Sequence, residues 1–241
     1  MKNLAAYFII ILSFFLNSCE NNCLSSSGEI VKIERQTADF KQIELYGVFN
    51  VYLKSGVENK IEIEAGKNII PNIETVVKND VLTINDLNKC DFIKGYANKN
   101  LYITFDTLTQ LIVYDAANLY SIDTLVTPSL SIRFESQIGY CDLTINSKVF
   151  KLAIWFGSGD YILKGKSKKL YVYALYSSFI YAEEVLTEAC YAYNKSMGDI
   201  YVKTDGLLDV NILDSGNIYY SGNPYNIEIK EHTGSGKLIK K

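Results

Sequence analysis

The feature that most constrains this fold is an alternation of apolar and polar residues with a period of two, which runs from Val31 onward. Alternation bounded by Gly, Asn and Asp is typical of half-buried β-strands. In the second half of the chain, corners of small polar residues recur at intervals of about 20 residues. Each corner is followed by a short strand, a turn and a second strand. The corners lie at 116–118, 136–137, 158–160, 177–178, 197–199, 215–217 and 235–237.

This repeat predicts an all-β fold, a β-solenoid with coils of about 20 residues. One such coil cannot bury its apolar face alone, but stacked coils bury a continuous core. An antiparallel sandwich is the competing fold, and it would show turns every 8–12 residues without the longer register. The second strands predict these inward residues: Leu130, Ile132, Phe134, Leu152, Ile154, Leu170, Val172, Ala174, Val210, Ile212, Ile227 and Ile229.

Two local features interrupt the strand pattern in the first half of the chain. Lys78-Asn79-Asp80 separates two apolar runs and predicts a hairpin loop. A helical turn is plausible near 68–73, where Pro71 keeps it short.

The N-terminus has the pattern of a targeting signal. A short positive region at Met1 and Lys2 precedes an apolar run, Leu4–Leu16, which is too short for a stable membrane span. The run ends close to Cys19, in a context that resembles a bacterial lipobox. We therefore expect a lipoprotein signal peptide over residues 1–18, lipidation of Cys19 and a lipidated tether over residues 19–35. An ordinary secretory signal that happens to contain a cysteine is the alternative.

The remaining cysteines do not identify a metal or redox motif. No CxxC pair occurs among the four others, so a zinc ribbon is unsupported; they are Cys23, Cys90, Cys141 and Cys190. Three complete disulfide pairings of these four are possible in an oxidising envelope. For Cys141 and Cys190, buried thiols that act as small apolar side chains are the alternative.

The charge balance and the few candidate catalytic residues exclude several function classes. A net charge of −3 and a pI of about 5.3 argue against a nucleic-acid binder. The single histidine, His232, has no accompanying nucleophile motif, and we expect it to be solvated. Aspartates at the corners, such as Asp160, Asp199 and Asp214, are expected to cap turns. We therefore expect no catalytic residues, no metal and no cofactor.

Two stretches carry a family resemblance: Phe40–Gly56 and Ile61–Ile84. Together with the later Ser-Gly corners they resemble the head GIN domain family of putative auto-transporter adhesins, found mainly in Bacteroidota envelopes. The resemblance covers about residues 36–241, and it implies a right-handed parallel β-solenoid and an envelope location without catalytic residues. With the lipobox, we expect a lipid anchor in the bacterial outer membrane. The chain departs from the pattern at Ser136-Gln137-Ile138 and Ser177-Ser178-Phe179, which lack the corner glycine.

Aromatic residues give the strongest surface signal. Since Leu170 and Val172 are expected to point inward, Tyr171 and Tyr173 should point outward. One coil back and one coil forward, the same outward positions predict an exposed patch of Trp155, Tyr171, Tyr173, Tyr191 and Tyr193, with a Trp155–Tyr173–Tyr193 column. A looser stripe comprises Tyr120, Ile162, Tyr181, Tyr201 and Tyr219. Such rings either stack on sugars and anchor partners, or only stabilise the ladder of coils.

These observations predict a lipid-anchored envelope module for adhesion or ligand binding. Its partner would be a polysaccharide or an envelope protein, with the membrane contacted through Cys19. A structural scaffold without its own ligand is the alternative, and a carbohydrate-active enzyme is a remote one. Asp106-Thr107-Leu108 and Asp123-Thr124-Leu125 resemble an O-glycosylation triplet, so Thr107 and Thr124 are candidate modification sites. Display on the periplasmic or the outer face stays open.

Overall fold

A computed structural model describes residues 26–89 and 98–241 of the chain. Within these residues the fold is all-β, apart from one turn of 3₁₀ helix at Ile70–Asn72. The strands are β1 (Ile30–Arg35), β2 (Gln42–Tyr46), β3 (Phe49–Ser55), β4 (Lys60–Gly66), β5 (Ile73–Lys78), β6 (Val81–Asp86), β7 (Asn100–Phe105), β8 (Gln110–Val113), β9 (Ala117–Ser121), β10 (Leu125–Phe134), β11 (Ile138–Ile154), β12 (Ser158–Ser196), β13 (Ile200–Lys203), β14 (Leu207–Ile212), β15 (Ile218–Ser221), β16 (Asn226–His232) and β17 (Leu238–Lys240).

The strands stack as a β-solenoid of about seven turns. Face A stacks β7, β3, β9, the first part of β11, two segments of β12, and then β13, β15 and β17. Face B stacks β6, β2, β8, β10, the second part of β11, two segments of β12, and then β14 and β16. A short third face pairs Leu125 with Ile145 and Ile145 with Gly165, which is a 20-residue register. The predicted solenoid is confirmed.

The N-terminal end differs from the parallel stack that the family resemblance implied. Strand β1 is antiparallel to β4, and β4 is antiparallel to β7. Strand β2 lies between β6 and β8, so the order of the stack is not the order of the chain. The tether boundary at residue 35 is also wrong, because Ile30–Arg35 is a strand of the sheet. The Arg35 guanidinium donates to the carbonyls of Ile70 and Ile73 and so ties β1 to the 3₁₀ turn.

The local predictions in this region are confirmed. Strands β5 and β6 form a hairpin in which Lys78 pairs with Val81. The two loop residues, Asn79 and Asp80, have φ values of 52° and 62°. Positive φ at both central residues is the mark of the tight turns that join antiparallel strands. Pro71 lies within the first turn of the 3₁₀ helix, as the sequence indicated.

The core contains the predicted inward residues of face B except in the last coil. Ten of these residues are fully buried: Leu130, Ile132, Phe134, Leu152, Ile154, Leu170, Val172, Ala174, Val210 and Ile212. Ile227 and Ile229 pair in register with Leu208 and Val210, yet they are 40% and 52% exposed. Their predicted burial is wrong, because no described strand stacks on β16 in face B. A bulge opposite Val210 and Asn211 distorts this edge, which disfavours pairing with other chains.

The two cysteines of the described chain are buried and free. Cys141 and Cys190 form no disulfide, so every complete pairing of the four cysteines is excluded. Their interpretation as buried thiols is confirmed. Burial raises the pKa of Cys190 to about 12 and also raises the pKa of Cys141. The signal peptide, Cys19, Cys23 and Cys90 lie outside the described residues.

Candidate functional site

Face A carries a ladder of stacked tyrosines. Tyr52 stacks on Tyr102 and Tyr120 with ring centroids 4.9 and 5.2 Å apart, and Tyr201 stacks on Tyr181 and Tyr219 at 5.3 and 4.8 Å. Asp142 pairs with both Tyr120 and Ile162. The predicted stripe is therefore interrupted by a carboxylate. The sequence interpretation missed Tyr52 and Tyr102, since their strands stack out of chain order.

On face B, Tyr171 and Tyr191 form a tight parallel stack. Their ring centroids are 4.4 Å apart and their planes differ by 7°. The ammonium of Lys151 lies 5.2 Å from the Tyr171 centroid, and Asp209 pairs with Tyr191. Because the rings are stacked face to face along the coil axis, they present edges and hydroxyls to solvent. This geometry favours the ladder-stabilising role for these two tyrosines.

The ladder register corrects the predicted column. Tyr173 pairs with Ala153, so Trp155 lies two residues further along face B and does not share a column with Tyr173 and Tyr193. The Tyr173 and Tyr193 rings are 5.9 Å apart and tilted by 42°. Since a single methyl group cannot cover a phenol ring, Ala153 leaves part of Tyr173 accessible. Burial raises the pKa of Tyr173, so its hydroxyl stays protonated and able to donate at neutral pH.

A group of exposed aromatic residues lies where face B turns into face A. Trp155, Phe156, Tyr176 and Phe179, here called the aromatic corner, are 49%, 47%, 55% and 37% exposed. Phe156 and Tyr176 come from successive coils and stack with centroids 5.7 Å apart. Exposed Ile138 and Met197 extend the apolar surface to the neighbouring coils. Of these residues, sequence reasoning selected only Trp155. The sequence does contain a sign of this cluster. Two corners lack glycine, and they include the exposed residues Ile138 and Phe179.

The backbone of Tyr176 is unusual for such a large residue. Its φ is 64°, in the left-handed region, and Gly157 at the corner of the preceding coil has a φ of 82°. The N–H of Ser177 donates to the Gly157 carbonyl at 3.3 Å, which places the two corners side by side. A left-handed conformation costs an ordinary residue roughly 1–2 kcal/mol. Such strain persists only where the surroundings hold it, and it clusters at functional sites.

A buried polar network holds the corner backbone from below. Ser178, Asn194 and Ser196 are fully buried. The Ser196 hydroxyl accepts hydrogen bonds from the N–H groups of Ser178 and Gly198 and donates to the Tyr176 carbonyl at 3.1 Å. Asn194 donates to the Gly198 carbonyl at 3.1 Å. Satisfied buried networks of this kind rigidify a surface, so the aromatic corner is preorganised.

The other candidate residues do not assemble a catalytic or metal site. His232 is exposed and bonds the Gly236 carbonyl through Nε2. The Asp214 carboxylate accepts from the N–H of Ser215 in its own turn at 2.7 Å, as predicted, whereas the Asp199 carboxylate accepts from the N–H of Asn217 in the next coil at 2.7 Å. Across residues 26–89 and 98–241, no three His, Cys, Asp or Glu side chains are grouped as metal ligands.

Both candidate modification sites lie in loops. Thr107 follows β7 and is half-buried, and Thr124 precedes β10 and is exposed. Their positions leave both threonines reachable, and their glycosylation stays a prediction. In the described part of the chain, no helix is long and apolar enough to cross a membrane.

A family model described as "Putative auto-transporter adhesin, head GIN domain" matches residues 39–224, which is more than half of the chain. Comparison with curated proteins found no significant match.

Three solved structures with a similar fold come from Bacteroidales. A putative adhesin from Bacteroides fragilis is 20% identical with a TM-score of 0.77, and the match covers 88% of this chain and 97% of that one. A putative adhesin from Parabacteroides distasonis is 18% identical with a TM-score of 0.60, covering 89% and 98%. A putative lipid binding protein from the same species is 16% identical with a TM-score of 0.60, covering 90% and 98%. At these identities the likeness concerns the fold.

Proposed function

The chain belongs to the family of putative auto-transporter adhesins with the head GIN domain, and from this premise we propose that it is a lipid-anchored binding module of the cell envelope. Its ligand-binding surface is the aromatic corner together with Tyr173 and Tyr193, and its ligand is a polysaccharide. Lipidation of Cys19, the signal peptide over residues 1–18, the outer-membrane location and the right-handed winding belong to the same proposal.

One observation carries the binding proposal. The four residues of the aromatic corner are all exposed, and Phe156 stacks on Tyr176 although Tyr176 must adopt a strained backbone to be there. A glycine at this corner would fold without that strain. Large exposed apolar patches on soluble domains usually mark binding sites. Sugar rings pack their C–H faces on aromatic rings, and neighbouring hydroxyls such as that of Tyr173 can bond sugar oxygens.

Individual ring contacts of this kind are weak. Aromatic contacts contribute about 0.5–1.5 kcal/mol each. Three or four contacts therefore support only modest affinity for one short segment of a glycan. Many copies of the protein on one envelope would bind a repeating polymer through avidity. Weak, repeated contact is consistent with adhesion.

The test is binding of the full chain, in detergent, to a panel of immobilised neutral polysaccharides. Trp155→Ala/Tyr176→Ala should weaken the strongest binding roughly tenfold or more, since 1.4 kcal/mol corresponds to a factor of ten. Trp155→Ala/Tyr173→Ala/Tyr193→Ala should weaken it at least as much. The matched control is Tyr201→Ala/Tyr219→Ala, which removes two rings of the face A ladder that stack on each other. Circular dichroism verifies that each variant is folded.

Two outcomes would overturn this proposal. Equal loss of binding in the corner variants and the face A control would show that the aromatic residues act only through the fold. Absence of binding to every polysaccharide, together with recovery of a protein partner through the corner, would favour the envelope-protein alternative. A scaffold without its own ligand predicts that no corner variant changes any interaction.

A further inference from the structure

A second surface, on the third face of the solenoid, combines apolar walls with lysines. This surface is a groove of about 620 Å³. One side is lined by Val126, Asn146, Lys166 and Leu186, and the other by Pro128, Lys148, Lys168 and Glu188. We name it the lysine groove after Lys148, Lys166 and Lys168. It lies at the opposite end of face B from the aromatic corner, about six residues or roughly 20 Å away.

The ladder register shows that this groove runs along the solenoid axis. Val126 pairs with Asn146, and Asn146 pairs with Lys166, so these residues occupy successive coils. Leu186 lines the groove in the coil that follows. Four coils at a rise of about 4.8 Å give a length of roughly 15 Å. The groove is therefore shaped for a linear ligand.

The floor of the groove is already satisfied and adds no free polar group. The Ser147 hydroxyl donates to the Ser167 hydroxyl at 3.0 Å, and Ser167 donates to the Lys169 carbonyl at 2.9 Å. Thr127 donates to the Leu108 carbonyl at 3.1 Å. Recognition must therefore come from the side chains along the two walls.

The walls carry an excess of positive charge. Lys168 lies 3.6 Å from the Glu188 carboxylate. Among residues 26–89 and 98–241, Lys148 and Lys166 have no acidic partner in ion-pair contact. Like charges in neighbouring coils repel one another, while the chain as a whole has a net charge of −3. A local positive groove on an acidic protein is complementary to an anionic ligand.

We propose that the lysine groove binds a linear anionic polysaccharide, whose carboxylate-bearing sugars lie between Lys166 on one wall and Lys148 and Lys168 on the other. Ammonium groups on both walls suit charges repeated along a chain, whereas a lipid offers one charged head. Val126, Pro128 and Leu186 supply apolar surface for the C–H faces of the sugars. The groove is a separate surface, so this inference does not depend on ligand binding at the aromatic corner.

The experiment measures binding of the full chain, in detergent, to polygalacturonate, to dextran and to a water-soluble, short-chain phosphatidylglycerol. Polygalacturonate should bind, and Lys148→Ala/Lys166→Ala should weaken that binding roughly tenfold, because exposed charge pairs are individually modest. Raising the salt concentration should weaken wild-type binding more than binding by the variant. The control variant Lys78→Ala/Lys237→Ala removes two other exposed lysines and should bind like the wild type.

The outcomes separate this proposal from its rivals. Equal binding of dextran and polygalacturonate by the Trp155→Ala/Tyr176→Ala variant, or equal effects of the two lysine double variants, would overturn it. Binding of the short-chain phosphatidylglycerol that is lost in Lys148→Ala/Lys166→Ala, without binding of polygalacturonate, would assign the groove to lipid instead. Trp155→Ala/Tyr176→Ala should leave polygalacturonate binding at the groove unchanged, whatever the corner itself binds.

Discussion

At the scale of single residues, the aromatic corner depends on one strained backbone position. Tyr176 has a φ of 64° and stacks on Phe156, and its carbonyl accepts a hydrogen bond from the buried Ser196 hydroxyl. These contacts of Tyr176, together with the buried network of Ser178, Asn194 and Ser196, offset the backbone strain at Tyr176. A large ring in place of glycine is therefore the feature of this corner that folding alone does not explain.

Substitution of Tyr176 separates the backbone from the ring. Tyr176→Ala loses the stacking on Phe156 and keeps the left-handed strain, whereas Tyr176→Gly loses the stacking and relieves the strain. We expect the glycine variant to be more stable than the alanine variant by about 1 kcal/mol. Urea unfolding followed by circular dichroism measures the difference. An alanine variant as stable as the glycine variant would contradict the left-handed conformation.

The buried thiols make a second prediction at this scale. Because burial raises the pKa of Cys190 to about 12, only roughly one thiol in ten thousand is ionised at pH 8. Iodoacetamide at pH 8 should leave Cys141 and Cys190 unmodified in the folded protein and modify both in urea, as peptide mapping would show. Modification of either cysteine in the folded protein would contradict its burial.

The raised pKa values of the two thiols also predict how the stability of the protein changes with pH. Above about 8.5 the cysteines ionise in the unfolded chain and stay protonated in the folded one, so the unfolded state binds fewer protons. The contribution of the thiols to the free energy of unfolding should therefore decrease as the pH rises above 8.5. A Cys141→Ala/Cys190→Ala variant should show a weaker decrease in urea titrations between pH 8 and pH 10.

At the scale of strands, register decides which side chains form the core and which meet solvent. Val172 is fully buried between Tyr171 and Tyr173, which point outward. In the same way, the pairing of Ala153 with Tyr173 moves Trp155 out of the tyrosine column and toward the corner. A shift of one residue would exchange the two faces completely.

A pair of neighbouring substitutions tests this register. Val172→Asp places a carboxylate in the apolar core and should lower the free energy of unfolding by several kcal/mol. Tyr173→Asp should cost only about 1 kcal/mol, from the lost contact with Tyr193. Denaturant unfolding of both variants gives the comparison. Similar destabilisation by the two substitutions would refute the assignment of inward and outward positions.

The elements that could be predicted from sequence are those that repeat. The 20-residue corners gave the coil length, and alternation gave the inward positions from Leu130 to Ile212. Ile227 and Ile229 follow the same alternation, but alternation cannot tell whether another coil covers them. The non-sequential place of β2 could not be predicted either, because periodicity carries no information about which strands become neighbours.

The candidate site was predicted only in part, for a related reason. Alternation places Tyr171, Tyr173, Tyr191 and Tyr193 outward, but the covering of ring faces by stacking depends on side-chain packing between coils. Corner residues do not alternate with a period of two. Alternation therefore cannot predict that Phe156 and Tyr176 are exposed. The absence of glycine at 177–179 is the sign that the sequence offers for this site.

At the scale of the whole molecule, the solenoid holds two separate surfaces on one rigid stack. The aromatic corner and the lysine groove lie at opposite ends of face B. The corner is formed by the turn between β11 and β12 and by the next coil of β12, and the groove by β10, β11 and β12. Antiparallel strands close the N-terminal end of the stack. A lipid on Cys19 would precede β1 in the chain, so the anchor would be attached to the N-terminal end of the solenoid.

The anchor makes a prediction about the whole protein in cells. Cys19→Ala should move the protein from the membrane fraction to the soluble fraction, because several acyl chains would be lost and each buried CH₂ contributes about 0.8 kcal/mol. Fractionation followed by immunoblotting is the measurement, with Cys23→Ala as the matched control. Sedimentation of the Cys19→Ala protein with membranes after a salt wash would contradict the lipobox.

The central claim, that the aromatic corner contacts a polysaccharide, can be tested through Trp155. It is the only tryptophan in the chain and is half exposed, so tryptophan fluorescence reports on the corner alone. Acrylamide quenching of the wild type should decrease when the polysaccharide that binds most strongly on the panel is added to saturation. In Tyr176→Ala the same decrease should need a several-fold higher polysaccharide concentration, because one ring contact is lost. Unchanged quenching of the wild type, while sedimentation shows that the polysaccharide is bound, would contradict the account.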